Sequence, residues 1–129
     1  MNNVKLSNVT NDMAVEIYEA AVYGGINYWC HFIDHDGKKL VDGGIKFLNV
    51  SDANENDWDI YNHALTDYRP RYINPNYFEF PLNLAMIKFG IADAASFEGI
   101  SVDDWFEDYD ASSADTAIQF ALFGKVIFG

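Results

Sequence analysis

The chain reads as a small α+β domain: an N-terminal helix and a β-hairpin or small antiparallel sheet packed with several helices, the C-terminal helix buried. Three observations predict this. Apolar residues from Met13 to Gly24 recur at helical spacing, a β-branched and aromatic run at Ile26–Ile33 is followed by turn residues and a second such run, and Ser113–Phe123 is apolar almost all round. The 129 residues, half of them hydrophobic, suit one domain with its own core, and no repeat or linker divides 1–129.

Taken in order, Thr10 or Asn11 is placed to cap a first helix running to about Tyr23. Met13, Ile17, Ala20, Ala21 and Gly24 form its buried stripe, with Asp12, Glu16, Glu19 and Tyr23 opposite; Gly24-Gly25 offers a left-handed stop. Ile26–Ile33 is expected as a strand, Asp34-His35-Asp36-Gly37 as a turn, and Gly44–Val50 as the partner strand with Ile45, Phe47 and Asn49 on one face. Asn54 can cap a helix over about 55–68 whose stripe is Trp58, Tyr61, Ala64, Leu65 and Tyr68, ended by Pro70.

Asn74-Pro75-Asn76 marks a turn. Pro81 suits the first turn of a helix with Leu82, Ala85, Met86 and Phe89 inward and Gly90 at its end; the alternative is a short third strand at Tyr77–Phe80. Ser101 and Ser112 each precede an acid by three residues, a variant capping box opening two more helices. In the last of these, about Ser113–Phe123, only Asp115, Thr116 and Gln119 are left for water, and Val126-Ile127-Phe128 extends it.

Charge is the most distinctive bulk property. Twenty acids against eight Lys plus Arg give −12, which argues against direct nucleic-acid binding and against an anionic membrane surface, since both require clustered cations. No apolar run approaches the length of a membrane span, and Met1-Asn2-Asn3-Val4-Lys5 does not open a secretory signal. With Cys30 as the single cysteine, a cytoplasmic setting is the simplest expectation.

Chemistry-bearing patterns are sparse. His31, Asp34, His35 and Asp36 are metal-ligand types, but residues four apart on a strand are roughly 13 Å from each other, so no metal or other cofactor is expected. Cys30 among Tyr28, Trp29 and Phe32 reads as a buried thiol rather than a nucleophile. Gly24-Gly25 and Gly43-Gly44 lack the features of a phosphate loop. A catalytic role for His31, His35 or His63 has only generic carboxylates to support it, and the expectation is a non-enzyme.

The acids are more informative. From Lys88 to Lys125 no cation intervenes, while Asp93, Glu98, Asp103, Asp104, Glu107, Asp108, Asp110 and Asp115 occur. Val102, Trp105, Phe106 and Tyr109 can pack inward while Asp103, Asp104, Glu107, Asp108 and Asp110 face water. Asp52, Glu55, Asp57 and Asp59 make a second patch. Such arrays are commonly plain solvated faces. Held rigidly, they can imitate a duplex phosphate array and be steered to a basic protein groove.

Gly24-Gly25-Ile26-Asn27-Tyr28-Trp29 after an amphipathic helix, with the closing stretch from Ala114-Asp115 through Ala121-Leu122-Phe123-Gly124 to Phe128-Gly129, resembles a group of small bacteriophage and prophage proteins without an established activity. The likeness covers the two ends, and Lys125 departs from the acid expected after Leu-Phe-Gly. It implies a phage origin. Small acidic phage proteins often inhibit host DNA-handling machinery, so the expected partner is a host defence protein with a basic nucleic-acid-binding groove, such as a CRISPR effector or restriction enzyme, the chain acting as a DNA mimic. The alternative is a structural or interaction module that self-associates or joins a phage assembly, using exposed aromatics such as Tyr23, Tyr28 or Tyr77.

Overall fold

The computed structural model describes residues 8–32, 44–51, 65–74 and 77–129. It is an α+β fold with a four-stranded antiparallel sheet. In chain order come α1 (Asn11–Ala20), a π-helical turn (Ala21–Gly25), β1 (Cys30–Phe32), β2 (Ile45–Ser51), β3 (Arg71–Asn74), β4 (Tyr77–Asn83), α2 (Leu84–Glu98), α3 (Val102–Glu107) and α4 (Ala111–Phe123). The sheet order is β1-β2-β4-β3, with Cys30 opposite Val50, Leu48 opposite Phe80 and Tyr72 opposite Phe78.

The expected pairing of the first two strands is present. Leu48 and Val50 of β2 are buried with Phe80 and Leu82 of β4, whereas Phe47 and Asn49 are only half-buried, as a period of two requires. The inner face carries α4, which packs most extensively on α2 and also meets α1, the π-turn and β4. Ala117, Ile118, Ala121, Leu122 and Phe123 are all buried, so α4 is the central helix expected from its composition.

Several elements differ from expectation. Thr10 caps α1 through a Met13 N–H to Oγ1 bond of 3.1 Å, but the Gly24-Gly25 stop is not left-handed. Gly25 is needed for proximity instead: a Cβ there would lie 2.7 Å from the Ala111 carbonyl oxygen at the start of α4. Ile26–Trp29 is a turn, closed by Trp29 and Cys30 amides on the Ile26 carbonyl, and only Cys30–Phe32 extends as strand.

The helix expected to open at Pro81 begins later. β4 runs through Pro81 to Asn83, whose side chain accepts from the Met86 N–H and caps α2. Pro81 is tolerated there because the β3 ladder ends at Glu79, so one flank of β4 needs no ladder hydrogen bond. The third strand weighed at Tyr77–Phe80 is therefore real and longer. Gly90 does not stop α2. It lets α2 and α4 touch, since a Cβ would sit 2.1 Å from the Ala117 carbonyl oxygen.

The helix end is Gly99, at φ 73°, with Gly99 N–H on the Ser96 carbonyl and Ile100 N–H on the Ala95 carbonyl, a Schellman arrangement. β3 was not foreseen. Residues 65–70 lead into it without an α-helix, and Tyr68, expected inward, is half exposed against Phe47. Ile33 of the expected first strand, the turn expected at Asp34–Gly37 and most of the 55–68 helix lie outside the described residues. Among the described residues no helix is long and apolar enough to cross a membrane.

Candidate interaction surface

The acidic corner is built from short-range rules. After the Gly99 reversal, Ser101 caps α3 by accepting from the Asp104 N–H at 3.0 Å. Val102 and Trp105 are buried beneath the helix and Phe106 is half-buried. The Trp105 Nε1–H has no hydrogen-bond partner, so it anchors α3 by apolar burial alone. Tyr109 stacks on Trp105 and donates its hydroxyl to Glu16 Oε2 at 2.8 Å, tying the corner to α1. Burial, reinforced by that bond, pushes the Tyr109 phenol up to about 12.

On the outer side, Asp103, Asp104, Glu107 and Asp108 are all exposed. Asp103 and Glu107, like Asp104 and Asp108, stand one helical turn apart, which puts each pair about 6 Å apart at Cβ. Asp103 and Asp104 also face the positive start of α3. Phe97, 76% exposed and packed on Phe120, ends α2, and Ile100, also exposed, precedes the α3 cap.

Asp110 belongs to the same exposed corner but is already engaged. It caps α4, one residue pair earlier than the expected Ser112 cap, accepting from the Ser113 N–H at 2.9 Å and the Ser113 hydroxyl at 3.1 Å. Those bonds hold its carboxyl below the usual range. Of the second predicted patch, Asp52, Glu55, Asp57 and Asp59 all lie outside the described residues.

Among the described residues no three His, Cys, Asp or Glu side chains are grouped to hold a metal ion. His31 is exposed on β1, edge-on to Tyr77 at 5.3 Å, while His35 and His63 lie outside the described residues. Cys30 is buried, which drives its thiol up to about 12 and away from nucleophilic character. A cavity of about 550 Å³ opens beside the start of α2, between Asn11, Thr66, Asp67, Asn83 and Lys88.

The buried polar centre of the protein was missed. Asp115 and Gln119, expected to face water, are 9% and 1% exposed. Asp115 accepts from the Tyr28 hydroxyl at 2.6 Å, the Trp29 Nε1–H at 2.8 Å and the Gln119 Nε2–H at 2.8 Å. Gln119 Oε1 in turn accepts from the Ile127 and Phe128 amides, both at 2.8 Å, and Trp29 stacks flat on Phe128 at 5.1 Å. Burial and the Asp115 bond push the Tyr28 phenol up to about 12. Tyr28-Trp29 and the closing stretch from Ala114 to Phe128 thus meet in one cluster through Asp115 and Gln119.

No protein-family model, curated protein or solved structure matches the chain.

Proposed function

We propose that the protein is a non-enzymatic, phage-type accessory protein. Its α3 corner docks in the basic nucleic-acid-binding groove of a host defence protein, as an anti-CRISPR or anti-restriction inhibitor. One observation carries the reading: Asp103, Asp104 and Glu107 are exposed on a helix, with Asp108 exposed at its C-cap, and the helix is held from beneath by Val102, Trp105 and the Tyr109–Glu16 bond. A fixed carboxylate array reaches a cationic groove without ordering cost at the moment of contact, and complementary charge speeds the encounter. Asp110, engaged as a cap, contributes its charge rather than a free hydrogen-bonding group.

The test is phage plating on a host strain with an active restriction or CRISPR system. Expression of the wild-type chain raises plating on such a strain, and the Asp104→Asn, Glu107→Gln, Asp108→Asn triple variant does not. Equal protection by the folded triple variant removes these residues from the account.

A second reading, a structural or interaction module, is favoured by the exposed rings of Tyr23, Tyr28 and Phe97, because aromatic side chains are enriched among interface anchors. An oligomer that persists in high salt and loses mass on Phe97→Ser supports that reading over the first.

A further inference from the structure

In a chain of net charge −12, the exposed cations among the described residues are close together in sequence. Among the described residues Lys46, Lys88 and Lys125 are half-buried, and the exposed cations are Arg69 and Arg71. They flank Pro70 at the entry to β3, an outer strand of the described sheet. Arg71, its side chain 69% exposed, is steadied by Glu79 at 3.0 Å, which leaves further N–H groups of its fork available. Ile73, 39% exposed, follows on the same strand, while Tyr72 turns to the opposite face of the sheet, edge-on to Phe78 at 5.7 Å. Neither arginine pairs with an α3 carboxylate of its own copy: Arg71 pairs with Glu79, and Arg69 is engaged by no described residue.

This ridge is the inverse of the α3 corner. One carries the exposed Arg69 and Arg71; the other carries the exposed Asp103, Asp104, Glu107 and Asp108. Arginine is suited to such contacts because its planar fork meets carboxylates bidentately and stacks on rings. We infer that the Arg69–Ile73 ridge is a docking surface for a second copy of this chain and receives that copy's α3 corner.

The contact joins two different patches, so it is heterologous and propagates head to tail into a ring or an open chain. At physiological ionic strength the Debye length is about 8 Å, which screens the long-range repulsion between two acidic copies while contact pairs survive. The inference does not depend on the host target, and its failure leaves the inhibitor reading standing.

Sedimentation equilibrium at physiological salt tests it with three chains: the wild type, Arg69→Glu/Arg71→Gln, and Glu107→Arg/Asp108→Arg. The second spares Glu79 a like-charged neighbour. The third places its cations at the end of α3, where they suit the helix dipole. Matching urea midpoints and near-UV circular dichroism establish that all three are folded.

The wild-type weight-average mass rises with concentration beyond a dimer and returns to the monomer in high salt. Each variant alone stays monomeric, and an equimolar mixture of the two regains association, because the intact α3 corner of the first meets the intact ridge of the second. A wild type that is monomeric at every concentration overturns the inference. So does either variant associating like the wild type, or a mixture of folded variants that remains monomeric.

Discussion

The indole Nε1–H of Trp29 donates to Oδ1 of Asp115 across 2.8 Å, joining residues 86 positions apart in the chain. Gln119 donates to the same oxygen and Tyr28 to the other, so one carboxyl group satisfies three donors around the start of α4. Replacing Asp115 by Ala leaves the buried Trp29 indole N–H unpaired and the Gln119 amide with only its bond to the Phe128 carbonyl, at an expected cost of about 3 kcal/mol. Asp115→Asn retains an acceptor for Trp29 and costs less. Urea unfolding with an unchanged slope reads both as shifts in midpoint.

Tyrosine titration gives a second prediction. Tyr28 and Tyr109 are each pushed up to about 12 by burial and by donation to Asp115 and Glu16. Because the folded values lie above the unfolded value of about 10, the neutral phenols contribute stability fully below pH ~10 and lose it as pH rises toward 12. Spectrophotometric titration of the native protein shows a late class of tyrosines. Tyr28→Phe and Tyr109→Phe each reduce that class by one.

Two glycines separate strain from space. Gly90→Ala drives a methyl into the Ala117 carbonyl, and α2 and α4 must part. The expected loss is about 3 kcal/mol, the upper end of overpacking costs. At Gly99 nothing lies within 4 Å of an added Cβ, and only the φ of 73° opposes it. Gly99→Ala is expected to cost about 1 kcal/mol from left-handed strain. Thermal unfolding of the two variants gives the ranking.

Asp110 supplies a cap as well as charge. Its carboxyl is held low by the Ser113 bonds, so its contribution is present above the ordinary carboxyl range and is lost as pH falls through the depressed folded value. Asp110→Ala is expected to lower stability at neutral pH and to flatten its decline in acid. Asp110→Ser, itself a cap former, recovers most of the neutral loss. Chemical unfolding at stepwise lower pH checks both.

Much of the fold was legible because local chemistry and tertiary packing agree along it. Thr10, Ser101 and the apolar face of α3 sit where spacing put them, and the pairing of β1 with β2 followed from two β-rich runs around turn residues. The errors fall where a long-range contact overrides a local signal. Pro81 reads as a helix start, but pairing of β4 with β2 carries the strand through it. Gly90 reads as a stop, but the close approach of α4 needs a residue with no side chain.

The same reason hid the polar centre. Within the apolar run that follows Ser113, Asp115, Thr116 and Gln119 interrupt the pattern and read as water-facing. Partners for Asp115 and Gln119 come from Tyr28, Trp29 and the backbone at 127–128, and no local spacing announces them. The acidic α3 face was readable because exposure there follows from helical period alone.

The most direct measurement is competition between this protein and duplex DNA for a host defence nuclease, titrated by fluorescence anisotropy at low and moderate salt. The account predicts that the wild-type chain displaces the DNA, that displacement weakens steeply as salt rises, and that the Asp104→Asn, Glu107→Gln, Asp108→Asn variant fails while retaining its unfolding midpoint. Displacement that is insensitive to salt, or undiminished in the triple variant, contradicts the claim that the α3 carboxylates stand in for phosphates.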